Sequence, residues 1–199
     1  MPVATQTASD SSAARRAMID SQLRTSGVNE PWVLARMAAV PREDFVPSAA
    51  REVAYIDRAV PLGDGRMLSA PLFHARMLAE AKPTTADRVL VIDGGSGYLP
   101  ALLEGLAGSV AVTTPEEAQG ATKKGDYTLI LIDGAAEQLP QALAKRLADD
   151  GRVVTGVIEN GVTRLAVGRK AGGAIALLPL AELGIPRLPA FDMPKAWSF

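Results

Sequence analysis

The sequence predicts a single α/β domain whose mostly parallel sheet carries helices on both faces. Arg88–Ile92 is a short run rich in β-branched residues that breaks at once into the glycine-rich stretch Asp93–Gly97, as a strand feeding a tight turn would. Four leucines between residues 99 and 106 then recur at helical spacing, which completes a strand, glycine loop and helix unit. Leu129–Ile132 is apolar at every position, which is typical of a parallel strand buried on both faces.

The N-terminal part of the chain predicts a disordered tail followed by two helices. Residues 1–14 are rich in Ala, Ser and Thr and have neither a positively charged start nor an apolar core, so we expect no signal peptide and no order there. Ala14–Leu23 has the spacing of an amphipathic helix. A second helix begins at Pro31 and ends before Pro41, because the residue before a proline disfavours helical geometry. We expect one domain over residues 15–199.

The next segment leads from irregular structure into a third helix. Prolines, glycines and isolated aromatics over Pro41–Leu68 indicate an irregular fold. Ser69–Pro71 is typical of a helix start, with Ser69 as the cap and the helix running to about Glu80. His74, the only histidine, falls one turn into this helix, where we expect it to be packed or exposed rather than to act as a base.

The sheet core is expected over residues 88–199, after the helical and irregular part over residues 15–82. Gln138–Leu147 is expected to form a helix between two of its strands. Besides Arg88–Ile92, the expected strands are Val110–Thr113, Thr128–Ile132, Arg152–Val157, Arg164–Val167 and Ala174–Pro179.

Composition excludes several classes of function. The formal net charge of -1 provides no field that would gather nucleic acid or an anionic membrane, so we expect neither as a partner. The absence of cysteine excludes disulfides and thiolate chemistry and agrees with a cytoplasmic location. The chain has no apolar run of transmembrane length. A partner must therefore be recognised by a specific site.

The turn after Arg88–Ile92 is the strongest candidate for such a site. In open α/β sheets, ligands bind beyond the carboxyl ends of the strands, where glycines let the backbone approach closely. Asp133 follows the strand Thr128–Ile132, so it either lines the same crevice or forms an ordinary strand-ending turn. A nicotinamide site is excluded, because Pro100 stands where the last glycine of a dinucleotide fingerprint belongs.

A series of short motifs covers nearly the whole chain. They are M-I-D-S-Q-L-R at Met18–Arg24, V-P-R-E-D-F-V-P at Val40–Pro47, A-Y-I-D at Ala54–Asp57, L-S-A-P at Leu68–Pro71, R-V-L at Arg88–Leu90, G-S-G-Y at Gly95–Tyr98 and L-P-A-F at Leu188–Phe191. In identity and order these motifs resemble the protein-L-isoaspartate O-methyltransferase family, and its short alphaproteobacterial-type members most. The resemblance implies a Rossmann-like S-adenosylmethionine-dependent methyltransferase fold with an N-terminal helical extension.

The resemblance also implies an activity, which is methyl transfer from S-adenosylmethionine to the carboxylate of isoaspartyl residues in damaged proteins. Isoaspartyl-containing peptides or proteins are then the expected partners. The serine of the family's S-x-P motif lies at the acceptor site and corresponds to Ser69. The matching motif positions assign substrate binding to Tyr55, Asp57, Ala70 and Pro71. The expected cofactor-binding residues are Asp93, Gly94, Gly95, Ser96, Gly97, Thr113 and Asp133.

The cofactor motif departs from the family pattern in three places. Aligned on Gly95–Tyr98, the acidic residue of E-x-G-x-G-x-G becomes Val91 and the first glycine becomes Asp93. Thr113-Thr114 replaces the acidic residue that binds the ribose hydroxyls at the end of the second strand. Only the twelve residues Pro115–Asp126 separate that strand from the next, so one helix–strand unit, with the wall over the adenine, is missing.

These departures predict weak or lost cofactor binding. Loss of a charge-assisted hydrogen bond worth about 1.5–3 kcal/mol lowers affinity roughly 10–100-fold, and loss of an apolar wall of about 100 Å² adds ~2.5 kcal/mol. We therefore favour a pseudoenzyme that keeps the fold, and with it an acceptor groove for binding peptides or proteins. The alternative is an active isoaspartyl methyltransferase with a remodelled cofactor site, in which Asp93 or Glu116 binds the ribose.

The shortened segment also predicts a sheet edge. Lys123 and Lys124 are expected to solvate the loop that follows the second strand. An unpaired edge strand is a template for pairing with another chain, so this edge is a candidate surface for a homodimer.

Overall fold

A six-stranded sheet forms the centre of the computed structural model, which describes residues 4–120 and 125–194. The strands are β1 (Val60–Gly63), β2 (Arg66–Leu68), β3 (Arg88–Ile92), β4 (Ser109–Thr113), β5 (Tyr127–Ala136), β6 (Leu147–Glu159), β7 (Val162–Ala171) and β8 (Ala174–Glu182). β1 and β2 form a separate hairpin, and the others pair in the order β4-β3-β5-β6-β7-β8. The pairs from β4 to β6 are parallel, whereas β7 and β8 are antiparallel additions at one edge. The architecture is the mostly parallel α/β sheet that the sequence predicts.

Helices cover both faces of this sheet, because alternate side chains of the central strands point to opposite sides. Val89 and Val91 of β3 belong to one buried cluster, and Leu90 and Ile92 belong to a second. The helices are α1 (Ala4–Met18), α2 (Pro31–Ala39), α3 (Pro71–Ala81), α4 (Tyr98–Leu103), α5 (Pro115–Gln119) and α6 (Gln141–Arg146). The first four contribute to the first cluster, and the last two pack in the second.

The predicted strands are all present, and their boundaries show where sequence patterns are informative. β3 has the predicted bounds, whereas β5 to β8 extend beyond theirs because sheet hydrogen bonding continues past the apolar run. The segment Pro41–Leu68 was expected to be irregular throughout, but it ends in the β1–β2 hairpin. Helix α5 was not predicted either, although Thr114 and Glu117 form a capping box at its start.

The first helix begins at Ala4 rather than at the predicted Ala14, so much of the segment expected to be disordered is helical. Ala4–Met18 contains neither glycine nor proline, and its alanines favour helix without requiring an apolar face. A side-chain hydrogen bond from Arg16 to Ser12, 2.8 Å long, links successive turns of this helix. The division into a tail and one domain at residue 15 stays a prediction.

Strand β4 lies at the edge of the sheet within the described ranges, as the short connection to β5 predicts. The side chain of Val112 on this strand is 53% exposed, which is consistent with a missing covering element. Lys123 and Lys124 lie outside the described residues. No helix among residues 4–120 and 125–194 is both long and apolar enough to span a membrane.

Asp87, immediately before β3, ties three strands together at the amino end of the sheet. Arg152 on β6 donates two hydrogen bonds to its carboxylate at 2.9 and 2.8 Å, and Thr128 on β5 donates a third at 2.7 Å. These donors, Arg152 first, hold the pKa of Asp87 well below its usual range. A carboxyl whose pKa is lowered by folding stabilises the protein above its unfolded-state pKa, and that stabilisation is lost as the pH falls.

We expect Asp87→Asn to lower the free energy of unfolding by about 1.5–3 kcal/mol at pH 7, the usual contribution of hydrogen bonds to a charged group. Urea denaturation at pH 7 and at pH 3 measures the effect. The difference between the variant and the parent should shrink at the lower pH, because the Asp87 carboxyl of the unfolded parent is protonated there and folding must then remove that proton. An equal difference at both pH values would contradict the electrostatic origin of the stabilisation.

Candidate functional site

An open crevice of about 320 Å³ lies where the carboxyl ends of β3, β4 and β5 meet. Parallel strands end together at one edge, so the loops that follow them form a common wall, as the sequence predicts. The crevice is closed on one side by the β1–β2 hairpin and on the other by the segment that follows β8. Its lining includes Arg66, Asp93, Gly95, Glu116, Asp133 and Leu188.

The loop after β3 carries its own carboxylate. Asp93 folds back so that its two oxygens accept the backbone N–H of Gly97 at 3.1 and 3.2 Å. Burial, together with the nearby charge of Asp133, raises the pKa of Asp93 above its ordinary value. Gly94 lets the loop approach β5, since a Cβ at Gly94 would lie 2.5 Å from the Asp133 carbonyl oxygen. Asp93 therefore lines the crevice and also closes the loop.

Asp133, which lies within β5 near its carboxyl end rather than after the strand as expected, is the centre of a buried polar cluster. Its carboxylate accepts a hydrogen bond from the Ser69 hydroxyl at 2.8 Å and contacts His74 Nε2 at 3.0 Å. A longer bond of 3.4 Å reaches it from the Ser96 hydroxyl. Ser69, His74 and Asp133 are each at most 2% exposed. Burial raises the pKa of Asp133, but His74, Ser69 and Arg42 outweigh it and hold the pKa below its ordinary value.

Ser69 was expected to cap α3, and this prediction is wrong. The N-cap residue is Ala70, and no side chain accepts a hydrogen bond from the first turn of the helix. The Ser69 hydroxyl donates instead to the Asp133 carboxylate. A hydrogen bond to a charged acceptor is stronger than the neutral hydrogen bond that a capping serine makes with a backbone amide. His74 is packed inside the molecule, which confirms that part of the prediction.

Arg42 extends this cluster towards the N-terminal helices. Its fully buried guanidinium donates to the carbonyl oxygens of Ala54, at 2.7 Å, and of Ser69, and it contacts His74 Nδ1 at 3.4 Å. It also lies 5.2 Å from the centre of the Tyr98 ring, within range of a cation–π interaction. Burial lowers the pKa of Arg42 to about 10, which still leaves it charged at neutral pH. A contact from Arg42 to Nδ1 places the His74 proton on Nε2, facing Asp133.

The predicted substrate-binding residues, which are Tyr55 and Asp57 in one motif and Ala70 and Pro71 in another, lie outside the crevice. The Tyr55 hydroxyl donates to Glu43 and accepts from Arg15 at 2.7 Å. Burial and the bond to Glu43 raise the pKa of Tyr55 to about 12, against the opposing effect of Arg15. Asp57 is exposed beyond it, and Ala70 and Pro71 are buried at the start of α3. None of these four residues is part of the crevice lining.

The predicted cofactor-binding residues fall into two sets. Asp93, Gly94, Gly95 and Asp133 line the crevice. Ser96 and Gly97 lie behind it and hold the loop, since the Ser96 hydroxyl accepts from the Tyr98 amide at 3.1 Å. Thr113 turns away, because its hydroxyl donates to Glu117 at 2.9 Å. Val91, at the position where the family has an acidic residue, is fully buried in the core.

Sequence reasoning missed Arg42, Arg66 and Arg187 as parts of this region. Arg66 and Arg187 line the crevice, and Arg42 supports it from behind. The only available signal for Arg42 was its position in the V-P-R-E-D-F-V-P motif. Arginine is rarely fully buried, so nothing in this charged segment indicated that its side chain lies in the interior. Glu116 was considered only as an alternative ribose ligand, and the structure places it in the crevice lining.

The family model for protein-L-isoaspartate(D-aspartate) O-methyltransferase matches residues 13–117 of the chain. Among curated proteins, the protein-L-isoaspartate O-methyltransferase of Koribacter versatilis is 33% identical over 186 residues, covering 81% of this chain and 84% of the relative. The Methanoregula boonei enzyme of the same name is 37% identical over 168 residues, covering 72% of this chain and 77% of the relative.

Solved structures support the same fold. A crystal structure from Plasmodium falciparum, assigned to this enzyme family and in complex with S-adenosyl-L-homocysteine, superposes with a TM-score of 0.73 at 18% identity. The match covers 88% of this chain and 98% of the other. A second structure, described as a protein-L-isoaspartate O-methyltransferase, superposes with a TM-score of 0.72 at 17% identity, covering 89% of this chain and 67% of the other.

Proposed function

Because the chain belongs to the protein-L-isoaspartate O-methyltransferase family, we propose that it binds S-adenosylmethionine in the crevice and methylates isoaspartyl carboxylates of damaged proteins. The observation that carries the proposal is an open crevice at the ends of β3 and β4 that retains acidic groups despite the altered motif. Val91 and Thr113 stand where the family has acidic residues and supply no carboxylate, but the carboxyl-bearing residues Asp93 and Glu116 both line the crevice. This favours a remodelled site over the sequence-based expectation of lost binding.

The residues present fit an S-adenosyl ligand in size and chemistry. A volume of about 320 Å³ lies at the lower end of the range typical of small-molecule sites. Asp93 offers a carboxylate for a cationic group, and Glu116 at the start of α5 offers one for ribose hydroxyls. Gly94 and Gly95 let the loop pack closely against its neighbours at the crevice, since a Cβ on Gly94 would lie 2.5 Å from the Asp133 carbonyl oxygen and one on Gly95 would lie 2.6 Å from Arg66 Cδ.

Methyl transfer to a carboxylate asks little acid–base chemistry of the protein. S-adenosylmethionine, when bound, supplies an electrophilic methyl group on a sulfonium. The acceptor carboxylate is ionised at neutral pH, so no general base is required. The protein contributes by orienting the acceptor and excluding water. We propose that Ser69 and Asp133 form the acceptor end of the site, in keeping with the family position of the serine.

Calorimetric titration with S-adenosylhomocysteine tests this proposal, together with methylation of an isoaspartyl peptide. We expect micromolar binding and methyl transfer to the isoaspartyl peptide. The same peptide with ordinary aspartate is the matched control and should not be methylated. Absence of heat up to millimolar ligand, from protein shown to be folded, would refute the proposal.

One observation favours a second candidate, a pseudoenzyme that keeps the fold as a binding module for peptides or proteins. Ser69 is only 1% exposed, and its hydroxyl proton is already engaged by Asp133. A substrate would have to displace that bond before reaching the serine. The titration distinguishes the two candidates, since the pseudoenzyme binds no S-adenosyl ligand.

Two further expectations stay predictions. A cytoplasmic location agrees with the absence of cysteine from the sequence. A homodimer formed through the edge of β4 agrees with the exposure of Val112. Sedimentation analysis tests the second, and a monomer at micromolar concentration would remove it.

A further inference from the structure

Arg66, the first residue of β2, extends its side chain across the glycine loop. A Cβ placed on Gly95 would lie 2.6 Å from Arg66 Cδ and 3.1 Å from Cγ. Gly95 also has a φ of +99°, a conformation that other residues rarely adopt. The loop therefore leaves room for the arginine stem, and its guanidinium is carried to the wall of the crevice.

The guanidinium makes only weak contacts with the described part of the chain. The contact of Arg66 with the Gly95 carbonyl oxygen is 3.4 Å, and its ion pair with Asp64 is 3.8 Å, to a carboxylate whose side chain is 94% exposed. Arg187, the other guanidinium of the crevice lining, differs sharply. It binds Glu137 at 2.8 Å and Asp192 at 2.6 Å. Of these two arginines, Arg66 retains the greater capacity to bind a further anion.

The charges around Arg66 are arranged for a ligand with both signs. Asp93 places a carboxylate in the crevice lining, and Arg66 places a cation in the same lining. An amino acid group carries an ammonium and a carboxylate, so it matches such a lining at both ends. The planar guanidinium is well suited to a carboxylate, because two parallel N–H groups match its two oxygens.

We propose that Arg66 is the carboxylate-binding residue of the crevice, an inference that rests on the proposed function. In methyl transfer to isoaspartyl residues, two different carboxylates could bind to Arg66. One belongs to the amino acid end of the S-adenosyl ligand, and the other belongs to the isoaspartyl substrate. The chemistry of recognition is the same for both, and the experiment separates them.

The first measurement compares two ligands by calorimetry. S-adenosylhomocysteine has the amino acid group, whereas 5′-methylthioadenosine keeps the nucleoside and the sulfur but lacks that group. We expect Arg66→Gln to weaken S-adenosylhomocysteine about tenfold or more, as for loss of a charged hydrogen bond, and to change 5′-methylthioadenosine less than about twofold. Arg66→Lys, which keeps the charge but not the fork, should be intermediate. Arg51→Gln removes the same charge from an exposed site outside the crevice and is the matched control.

The second measurement is the KM for an isoaspartyl peptide. A raised KM with unchanged S-adenosylhomocysteine affinity assigns the bound carboxylate to the substrate and supports the proposal. The proposal would be overturned if Arg66→Gln changed neither the KM for the peptide nor the affinity for S-adenosylhomocysteine. It would also be overturned if the variant bound S-adenosylhomocysteine and 5′-methylthioadenosine equally more weakly than the parent. A parent protein that binds neither ligand refutes the proposed function itself, which is a different result from binding that is insensitive to Arg66.

Discussion

Replacing Arg42 with methionine is expected to lower the free energy of unfolding by about 3–5 kcal/mol, the usual loss when one partner of a buried charged network is removed. Methionine keeps about the length of the arginine's apolar stem, so the change removes the guanidinium and its donors. The carbonyl oxygens of Ala54 and Ser69 and Nδ1 of His74 lose their contacts with the guanidinium. Unpaired buried polar atoms bear the full cost of their desolvation. The cation–π contact with Tyr98 is lost as well.

Urea denaturation at pH 7, followed by circular dichroism, measures this loss. Arg42→Lys keeps a charge but cannot reach several acceptors at once, so it should fall between the parent and Arg42→Met. Arg51→Met, on the surface, should change stability by no more than about 0.5 kcal/mol. A loss below about 1 kcal/mol for Arg42→Met would contradict a structural role for the network.

The local parts of this fold could be predicted from the sequence because their signals are local. Arg88–Ile92 followed by a glycine loop has the observed strand bounds, since β-branched residues and the glycines after them fix a strand and its end. The missing helix–strand unit could be predicted by counting residues, and β4 is the sheet edge within the described ranges.

The polar cluster of the site could not be predicted in the same way. Ser69 and Asp133 are 64 residues apart in the chain, and nothing in either local motif indicates that they meet. The local pattern around Ser69 indicated a helix cap, and a long-range charged acceptor displaced that role. For Asp93, the sequence predicted an added charge in the loop but not its bond to Gly97, which lets the loop accommodate that charge.

Asp93 illustrates how a ligand-binding group can reduce the stability of the free protein. Burial and the charge of Asp133 raise the pKa of Asp93, so its ionisation is less favourable in the folded chain than in the unfolded chain. A raised folded-state pKa means that the charge costs stability, and this cost is fully present at pH values above that pKa. A cationic ligand would compensate the charge, because it adds an attraction that the free protein lacks.

Asp93→Asn is therefore expected to change stability and binding in opposite directions. The amide oxygen can still accept the Gly97 amide, so the loop keeps its shape while the charge is removed. We expect a higher melting temperature at pH 7, with a gain that disappears as the pH falls, and an affinity for S-adenosylhomocysteine about tenfold to hundredfold lower. Asp44→Asn, an exposed carboxylate outside the crevice, should change neither. Unchanged affinity for S-adenosylhomocysteine would exclude Asp93 as a ligand group. A lower melting temperature would refute the electrostatic argument, because removal of a charge that destabilises the folded protein must raise the melting temperature.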